Sequence, residues 1–256
     1  MRILFAGRKL AGRDALAWTV EQGHDVAGVL TDDFLPGSPC AALAAELGVP
    51  TFSHESAMAA VEDGSLVFDL GVSFVYWRVL RAPLLTHPAR GFVNFHPAPL
   101  PALKGVGGYN VAILERMDSY GVSAHYVDAA IDTGPIIEVA PVPLDAERDT
   151  AVELEARSMD ALLALYRRTL SRAATSESQL PTEENRGGRY VTRAEMEAMK
   201  RIAPADDVDL KARAFWFPPY AGAYFERGDE RHTVVPRRVL DSLGGGDTHL
   251  QRRGAR

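Results

Sequence analysis

Short apolar runs alternate with helix-length amphipathic segments in the first third of the chain. Residues 2–6 predict a buried strand, residues 11–22 a helix and residues 24–31 a second strand. A strand, a helix and a strand in this order favour a parallel sheet, because parallel neighbours need a crossover connection. The continuous apolar run 66–75 predicts a further strand that is buried on both faces, and residues 83–85 predict the start of a short helix. We therefore expect an α/β fold with a doubly wound, mostly parallel sheet.

The same patterns divide the chain into four parts. Residues 1–175 predict the main domain, which carries the Rossmann-like sheet and a long amphipathic helix. Residues 176–189 are polar and contain proline and glycine, which predicts a linker. Residues 190–243 are too few for a full domain and predict a small C-terminal α+β appendage with one hairpin. The Gly- and Arg-rich residues 244–256 predict a disordered tail.

Composition narrows the classes of function. The 256 residues are 46% hydrophobic and carry a net charge of −6, so an extended nucleic-acid surface is not expected. Cys40 is the only cysteine, which excludes an internal disulfide and a thiolate metal cluster. No apolar run reaches the roughly 18 residues that cross a bilayer, and the N-terminal run is too short for a signal peptide. We expect a cytoplasmic protein without a metal, a membrane partner or a nucleic-acid partner.

The most informative stretch begins at Asn94 and reads Asn-Phe-His-Pro-Ala-Pro-Leu-Pro. Asn94 and His96 follow an apolar run and are two residues apart, so their side chains point the same way on an extended backbone. The prolines predict a stiff loop that leaves the end of a strand. Downstream, Asp132 lies in Ile-Asp-Thr-Gly-Pro, which predicts a second tight loop, within a hairpin of strands 120–128 and 136–142. An amide, an imidazole and a carboxylate on such loops can position, transfer and counterbalance a proton.

Each of these residues also has a structural interpretation. A single histidine after a strand is more often structural than catalytic, and Asp-Thr-Gly is common in turns. Arg8 and Lys9 precede the first helix and can meet a phosphate there, or they can be surface charges. The segment 7–12 is not a GxGxxG fingerprint, so a dinucleotide site is not supported. The aromatic cluster 215–220 can stack on a base or pack within the appendage.

The combination of motifs resembles the folate-dependent formyltransferases. The shared features are Asn-x-His-Pro-x-x-Leu-Pro, a glycine a few residues later and a downstream Asp-Thr-Gly-Pro. The resemblance runs from Arg2 to about Leu144 and is weaker in residues 188–226. It implies 10-formyltetrahydrofolate as cosubstrate, no metal, and the following site residues: Asn94, His96 and Asp132 as the catalytic groups, with His125 close behind them.

The resemblance also assigns residues to the two ligands. It implies a folate pocket that is lined by Trp77, Arg78, Val79, Leu80, Ile131 and Asp132. Together with the two basic residues at the first helix, it implies the following contacts to the acceptor substrate: Arg8, Lys9, Pro97, Lys104, Gly105 and Tyr109.

Among the formyltransferases, the chain is most similar to the nucleotide-sugar N-formyltransferases. It shares with them His-Pro-Ala-Pro-Leu-Pro, Gly-Tyr-Asn after the loop and Phe-Pro-Pro-Tyr near the end. It departs from many of them at Leu103-Lys104, where they have an aromatic residue and an arginine. The implied acceptor is the amine of a nucleotide-linked amino deoxysugar, commonly a dTDP sugar, and a homodimer is a family-level expectation. The alternatives are another small amine, such as a hydroxyornithine-type siderophore precursor, and a silent homologue that only binds folate or nucleotide.

Overall fold

The computed structural model describes residues 1–32 and 37–243, and the predicted disordered tail 244–256 lies outside the described residues. The chain forms two compact units that are interleaved along the sequence. Of the described residues, the first contains 1–32, 37–105, 119–143 and 157–190; the second contains 106–118, 144–156 and 191–243. The four-part division made from the sequence stays a prediction.

Strands and helices alternate through most of the described chain. The strands are β1 (Arg2–Gly7), β2 (Asp25–Leu30), β3 (Thr51–Phe52), β4 (Leu70–Phe74), β5 (Phe92–His96), β6 (Leu103–Gly105), β7 (Tyr120–Tyr126), β8 (Ile136–Val142), β9 (Arg189–Val191), β10 (Tyr224–Arg227) and β11 (Glu230–Thr233). The helices are α1 (Lys9–Glu21), α2 (Pro39–Glu46), α3 (His54–Glu62), α4 (Gly108–Leu114), α5 (Ala151–Thr175), α6 (Arg193–Met199), α7 (Val208–Ala214) and α8 (Arg237–Leu243).

A seven-stranded sheet forms the centre of the first unit, in the order β3-β2-β1-β4-β5-β7-β8. The first five strands in this order, which end with β5, are parallel to one another, whereas β7 and β8 are antiparallel to their neighbours. The expected doubly wound, mostly parallel α/β fold is therefore confirmed. The predicted hairpin around the Asp132 loop is β7 and β8.

Aromatic side chains pack the sheet against α5. Tyr166 is completely buried, and its ring lies edge-on to Phe74 and Phe95 at centroid distances of 5.4 and 4.9 Å. Its hydroxyl makes a 2.5 Å hydrogen bond with Thr19 of α1, which also donates to the Ala15 carbonyl oxygen at 2.7 Å. Because buried aromatic rings contribute both area and specific edge-to-face contacts, this packing fixes β4, β5 and the helices around them.

Two local predictions were wrong. Residues 83–85 form a turn instead of a short helix: the His87 N–H bonds to the Pro83 carbonyl oxygen at 3.0 Å, but Pro88 has no N–H group with which to continue. Asn94 and His96 belong to β5 itself and not to the loop after it. Helix α8 was not anticipated from the sequence.

The second unit contains α4, α6, α7 and α8, the first part of α5 and the hairpin of β10 and β11. That hairpin was predicted and is confirmed by its antiparallel register. Arg213 is buried in this unit and is satisfied by the Asp209 carboxylate and by the carbonyl oxygens of Ala146 and Asp149. None of the helices within residues 1–32 and 37–243 has an apolar stretch long enough to cross a membrane.

Candidate active site

Asn94 and His96 lie at the C-terminal end of β5 and point to the same face of the sheet. Phe95, between them, packs against Tyr166 on the other face. The strand ends at His96, because Pro97 has no N–H group to continue the ladder. Both polar side chains are therefore held by a packed central strand, which orients them more firmly than a loop would.

The antiparallel neighbour β7 supplies the next layer of the site. In the β5–β7 register, His125 is opposite Asn94 and Ser123 is opposite His96. The Ser123 hydroxyl donates to the Ala98 carbonyl oxygen and accepts the Leu100 N–H, both at 2.8 Å. These two bonds tie the proline-rich loop to the sheet beside His96.

Asp132 lies on the loop between β7 and β8 with a left-handed backbone, at φ +55°. A residue other than glycine in that conformation costs about 1–3 kcal/mol, so neighbouring contacts have to hold it. Gly134 is required for close packing, since a Cβ atom there would lie 1.9 Å from the Tyr126 carbonyl oxygen. The Asp-Thr-Gly motif thus has a structural reason as well as the predicted catalytic one.

The Asp132 carboxylate brings the predicted residues into one cluster. Oδ2 accepts the Gly105 N–H at 2.9 Å and lies 3.5 Å from Nδ1 of His96. Oδ1 lies 3.6 Å from Nε2 of His125. The carboxylate is only 9% exposed and the His96 ring 8%, so the pair is shielded from solvent. The catalytic roles of these residues stay predictions, but their side chains converge.

Backbone carbonyl oxygens determine where the His96 ring carries its proton. Nε2 of His96 lies 3.1 Å from the Leu103 carbonyl oxygen, which can only accept a hydrogen bond. Nε2 is therefore the protonated nitrogen in the neutral ring. Nδ1 is left without a proton and lies on the side of Asp132.

The same argument orients Asn94. Nδ1 of His125 lies 2.8 Å from the Tyr126 carbonyl oxygen and donates to it. In the neutral ring, Nε2 of His125 then accepts a hydrogen bond from Nδ2 of Asn94 at 3.0 Å. The amide uses one N–H group in this bond, and its second N–H is left for another acceptor.

Burial and charge set the protonation states of the pair. Burial lowers the pKa of His96, and although Asp132 opposes this, the pKa remains below its usual value. For Asp132, burial alone would raise the pKa, but the facing rings of His125 and His96 and the Gly105 N–H together lower it. At neutral pH the site therefore combines a neutral imidazole with an ionised carboxylate.

Neither a metal-binding group nor an ionised thiol is present in the part of the chain that the structure describes. Within residues 1–32 and 37–243, no group of three or more His, Cys, Asp or Glu side chains could hold a metal ion. Cys40 is buried, and burial raises its pKa to about 12, so it stays a thiol at neutral pH.

The residues assigned to the folate pocket differ in exposure. Trp77 is 46% exposed, and the Arg78 guanidinium lies 4.8 Å from the centre of its ring while it also pairs with Glu55 at 3.0 Å. Val79 and Ile131 are also exposed, whereas Leu80 is buried in the hydrophobic core. An aromatic face, a cation and apolar edges are therefore present, with Leu80 supporting them from inside.

The residues assigned to the acceptor also fall into different surroundings. Arg8 pairs with the buried Asp32 at 3.2 Å, and Lys9 is exposed with a left-handed backbone. The Pro97 carbonyl oxygen accepts the Tyr120 hydroxyl at 2.7 Å. Lys104 is 8% exposed and follows Leu103, whose carbonyl contacts His96. Gly105 donates to Asp132, and Tyr109 lies on α4 in the second unit.

One residue at the site was missed from the sequence. Nδ2 of Asn185 donates to the carbonyl oxygens of Asp132 and Gly134, at 3.0 and 2.8 Å. Asn185 lies in the polar segment that predicted a linker, and no local pattern there points to a distant loop. The only signal was the pair Gly187-Gly188, which indicates a tight backbone path.

Comparison with known proteins places the chain in a family. Residues 51–170 match the family model described as formyl transferase. The chain is 30% identical over 213 residues to methionyl-tRNA formyltransferase from Paracoccus denitrificans, covering 81% of this chain and 69% of that protein. It is 32% identical over 184 residues to methionyl-tRNA formyltransferase from Clavibacter sepedonicus, covering 63% of this chain and 60% of that protein.

A solved structure shares the fold. The N-formyltransferase from Helicobacter canadensis, in complex with folinic acid and dTDP-3-aminofucose, has a TM-score of 0.72 and 18% identity, covering 90% of this chain and 85% of that chain. The family model, the Paracoccus relative and the motifs around Asn94 and Asp132 together show that this chain belongs to the formyltransferase family.

Proposed function

We propose that the protein transfers a formyl group from 10-formyltetrahydrofolate to the amine of a nucleotide-linked amino deoxysugar of the dTDP class. Family membership supports formyl transfer. The observation that carries the proposal is the shielded cluster of Asn94, His96 and Asp132, with 3.5 Å between the imidazole and the carboxylate. The ligands in the Helicobacter canadensis complex, folinic acid and dTDP-3-aminofucose, support the choice of donor and acceptor.

The cluster provides the groups that acyl transfer to an amine requires. The carbonyl oxygen gains negative charge as the amine adds, and the second N–H of Asn94 would donate to it. The amine must lose a proton, and the bare Nδ1 of His96 can accept it. Asp132 then stabilises the imidazolium that forms. The position of the ring proton on Nε2 thus favours His96 acting first as a base.

The exposed residues after β4 fit a reduced folate. When bound, 10-formyltetrahydrofolate supplies the activated formyl group and a nitrogen leaving group. Trp77 offers an aromatic face to a flat ring system, and Arg78 offers a cation to a carboxylate. Val79 and Ile131 would contribute apolar contacts, and Leu80 would support the pocket from the core.

Lys104 supports an anionic acceptor. Its side chain is 8% exposed, and among the described residues no hydrogen bond or ion pair involves its ammonium group. Its ammonium nitrogen is not among the fully buried polar atoms that lack a partner, so it stays accessible to a ligand, and a charge-assisted bond from it to a phosphate oxygen would be strong. The diphosphate of a nucleotide sugar supplies such an oxygen. Arg8 is the weaker candidate for this contact because it already pairs with Asp32.

A second candidate acceptor is methionyl-tRNA. Its support is that the Paracoccus denitrificans and Clavibacter sepedonicus relatives are methionyl-tRNA formyltransferases by name. Binding along a long RNA surface depends on many phosphate contacts, which a net charge of −6 opposes. A small anionic ligand needs only a local cation.

A thermal-shift screen followed by a transfer assay tests the proposal. Ligands that bind the native state raise the melting temperature, so 5-formyltetrahydrofolate and dTDP-amino sugars should each stabilise the protein. The assay then offers 10-formyltetrahydrofolate with dTDP-amino sugars, methionyl-tRNA and hydroxyornithine as separate acceptors, with His96→Asn as the inactive control. Transfer only to methionyl-tRNA or to hydroxyornithine would contradict the proposed acceptor. An unchanged melting temperature with every reduced folate would contradict the proposed donor.

Two further expectations belong to the same proposal. We expect a homodimer, which sedimentation analysis of the purified protein would detect. We also expect a cytoplasmic location, which fractionation of the source cells would check.

A further inference from the structure

The polar segment before β9 is a structural part of the site and not a passive linker. Glu183 exchanges two backbone hydrogen bonds with Ile136, at 2.9 and 2.7 Å, and so extends the edge of β8. The Arg189 N–H donates to the Ala102 carbonyl oxygen at 2.9 Å. We call residues 183–189 the strap. It bonds at one end to the strand that leaves the Asp132 loop and at the other to the loop after His96.

The strap passes very close to the proline-rich loop. A Cβ atom on Gly188 would lie 1.5 Å from the Pro101 carbonyl oxygen, and the backbone there is left-handed at φ +78°. Both the contact and the conformation require glycine. The strap is therefore held in one position, which allows its side chains to act on the loops that it joins.

Asn185 is the side chain of the strap that reaches the Asp132 loop. Its amide donates to two carbonyl oxygens, those of Asp132 and Gly134, and both bonds are 3.0 Å or shorter. Carbonyl oxygens cannot donate, so the NH₂ group has to face them. Its own Oδ1 is then buried and has no hydrogen-bond partner among the described residues. Burying an oxygen without a hydrogen-bond donor costs about 1–3 kcal/mol of stability. The amide therefore holds the loop but lowers the stability of the fold through its own oxygen.

We propose that Asn185 is a positioning residue, which holds Asp132 in its left-handed conformation so that the carboxylate stays beside His96 and Gly105. Asp132 adopts φ +55° and needs an external contact to keep it. The carboxylate has to meet Nδ1 of His96 at 3.5 Å and the Gly105 N–H at 2.9 Å from that backbone. Displacement of a catalytic group by about 1 Å can cost about 10²-fold in rate.

The expected effect of Asn185 on the reaction rate rests on the proposed function, but its expected effect on the position of Asp132 does not. We therefore choose Asn185→Ala, the nearly isosteric Asn185→Asp, and Thr192→Ala as a matched control. Thr192 caps α6 by accepting the Glu195 N–H at 3.1 Å, and its loss removes a side-chain-to-backbone bond of similar strength outside the cluster. Urea unfolding of all three variants shows how far each one changes stability.

The first measurement is a histidine NMR titration of the full chain without any ligand, with His96→Asn used to assign the signal. Asp132 raises the pKa of His96 against the effect of burial. A displaced carboxylate should therefore move the His96 titration to lower pH in Asn185→Ala and leave it unchanged in Thr192→Ala. This measurement needs no acceptor, so it stands even if the protein formylates something other than a nucleotide sugar.

The second measurement is formyl transfer to the acceptor found in the screen. We expect kcat to fall by about 10- to 10²-fold in Asn185→Ala, and further in Asn185→Asp, whose carboxylate would repel both carbonyl oxygens. KM for the folate and for the acceptor should change little. An unchanged His96 titration in Asn185→Ala would overturn the proposal. So would a loss of activity that Thr192→Ala reproduces at equal stability, since that would make the effect a general one.

Discussion

Replacing Asp132 with asparagine tests the proposed path of the proton. The carboxylate lies 3.5 Å from Nδ1 of His96 and accepts the Gly105 N–H at 2.9 Å. Asparagine has nearly the same shape and can keep the bond to Gly105 with its oxygen in the place of Oδ2, while its NH₂ group takes the place of Oδ1 on the side of His125. The change therefore removes the negative charge that faces Nδ1 of His96, with little effect on packing.

The size of the expected loss follows from the separation of the charges. Opposite unit charges about 4 Å apart attract by about 4 kcal/mol at an effective dielectric constant of about 20. Shifts of about 1–3 pKa units for such pairs correspond to about 1.4–4 kcal/mol. If the imidazolium is fully formed in the transition state, loss of this attraction would lower the rate by about 10- to 10³-fold. Because both side chains are less than 10% exposed, we expect a fall in kcat of at least about 10²-fold.

Asp128 provides a matched control on the same loop. Its carboxylate is exposed and accepts the Thr133 hydroxyl at 2.5 Å and the Ala130 N–H at 3.2 Å. Asp128→Asn removes one negative charge from the loop without touching either histidine. We expect it to keep kcat within about twofold of the wild type, as surface substitutions usually do.

The assay is steady-state formyl transfer across the neutral pH range for the wild type, Asp132→Asn and Asp128→Asn. The His96 titration, measured by NMR, should move to lower pH only in Asp132→Asn, because only that variant loses the facing carboxylate. A near-normal kcat in Asp132→Asn would refute the proton path. Equal losses in both variants would show that the loop's overall charge matters instead of the contact with His96.

Four further predictions follow from individual contacts. Asn94→Ala should lower kcat by at least about 10²-fold in the transfer assay, because the oxyanion loses its donor. Lys104→Met should raise KM for the nucleotide sugar by about 10- to 10²-fold with a smaller change in kcat, as expected for a lost charge-assisted bond. Tyr166→Phe should cost about 0.5–1.5 kcal/mol in urea unfolding while kcat stays unchanged, since Thr19 keeps its backbone acceptor. The pKa of Asp132 is lower in the folded protein than the unfolded-state pKa of about 3.9, so its carboxylate stabilises the fold fully above that pH. This stabilisation is lost as the pH falls through the folded-state pKa. The difference in unfolding free energy between the wild type and Asp132→Asn should therefore vanish at low pH.

The order of strands and helices could be predicted because it depends on local periodicity. The bounds of β1, β2 and the β7–β8 hairpin match the apolar runs closely, since each strand buries a continuous set of side chains. The short helix at 83–85 was wrong because a propensity over three residues cannot outweigh two nearby prolines. Loop placement of Asn94 and His96 was wrong because the prolines after them obscured where the strand ends.

The convergence of the site could be anticipated only through the resemblance to a family. Nothing in the spacing of His96 and Asp132 fixes a distance between them. The 3.5 Å approach depends on β7 joining β5 in an antiparallel register, which sets His125 opposite Asn94 and directs the following loop back across the strand end. Register of this kind depends on pairing between distant segments, and a single sequence does not report it.

Asn185 shows why the support of a site is harder to predict than its reactive groups. Catalysis limits the choice of reactive groups to a few side chains with suitable acid–base chemistry, so Asn94, His96 and Asp132 stand out in a sequence. Holding a loop requires only a pair of N–H donors at the right place, which many residues can supply. Asn185 lies 53 residues after Asp132 and acts on its backbone carbonyl, which every residue possesses. The strained backbone of Asp132 and the buried oxygen of Asn185 are properties of the folded chain alone, and they mark this contact as part of the site.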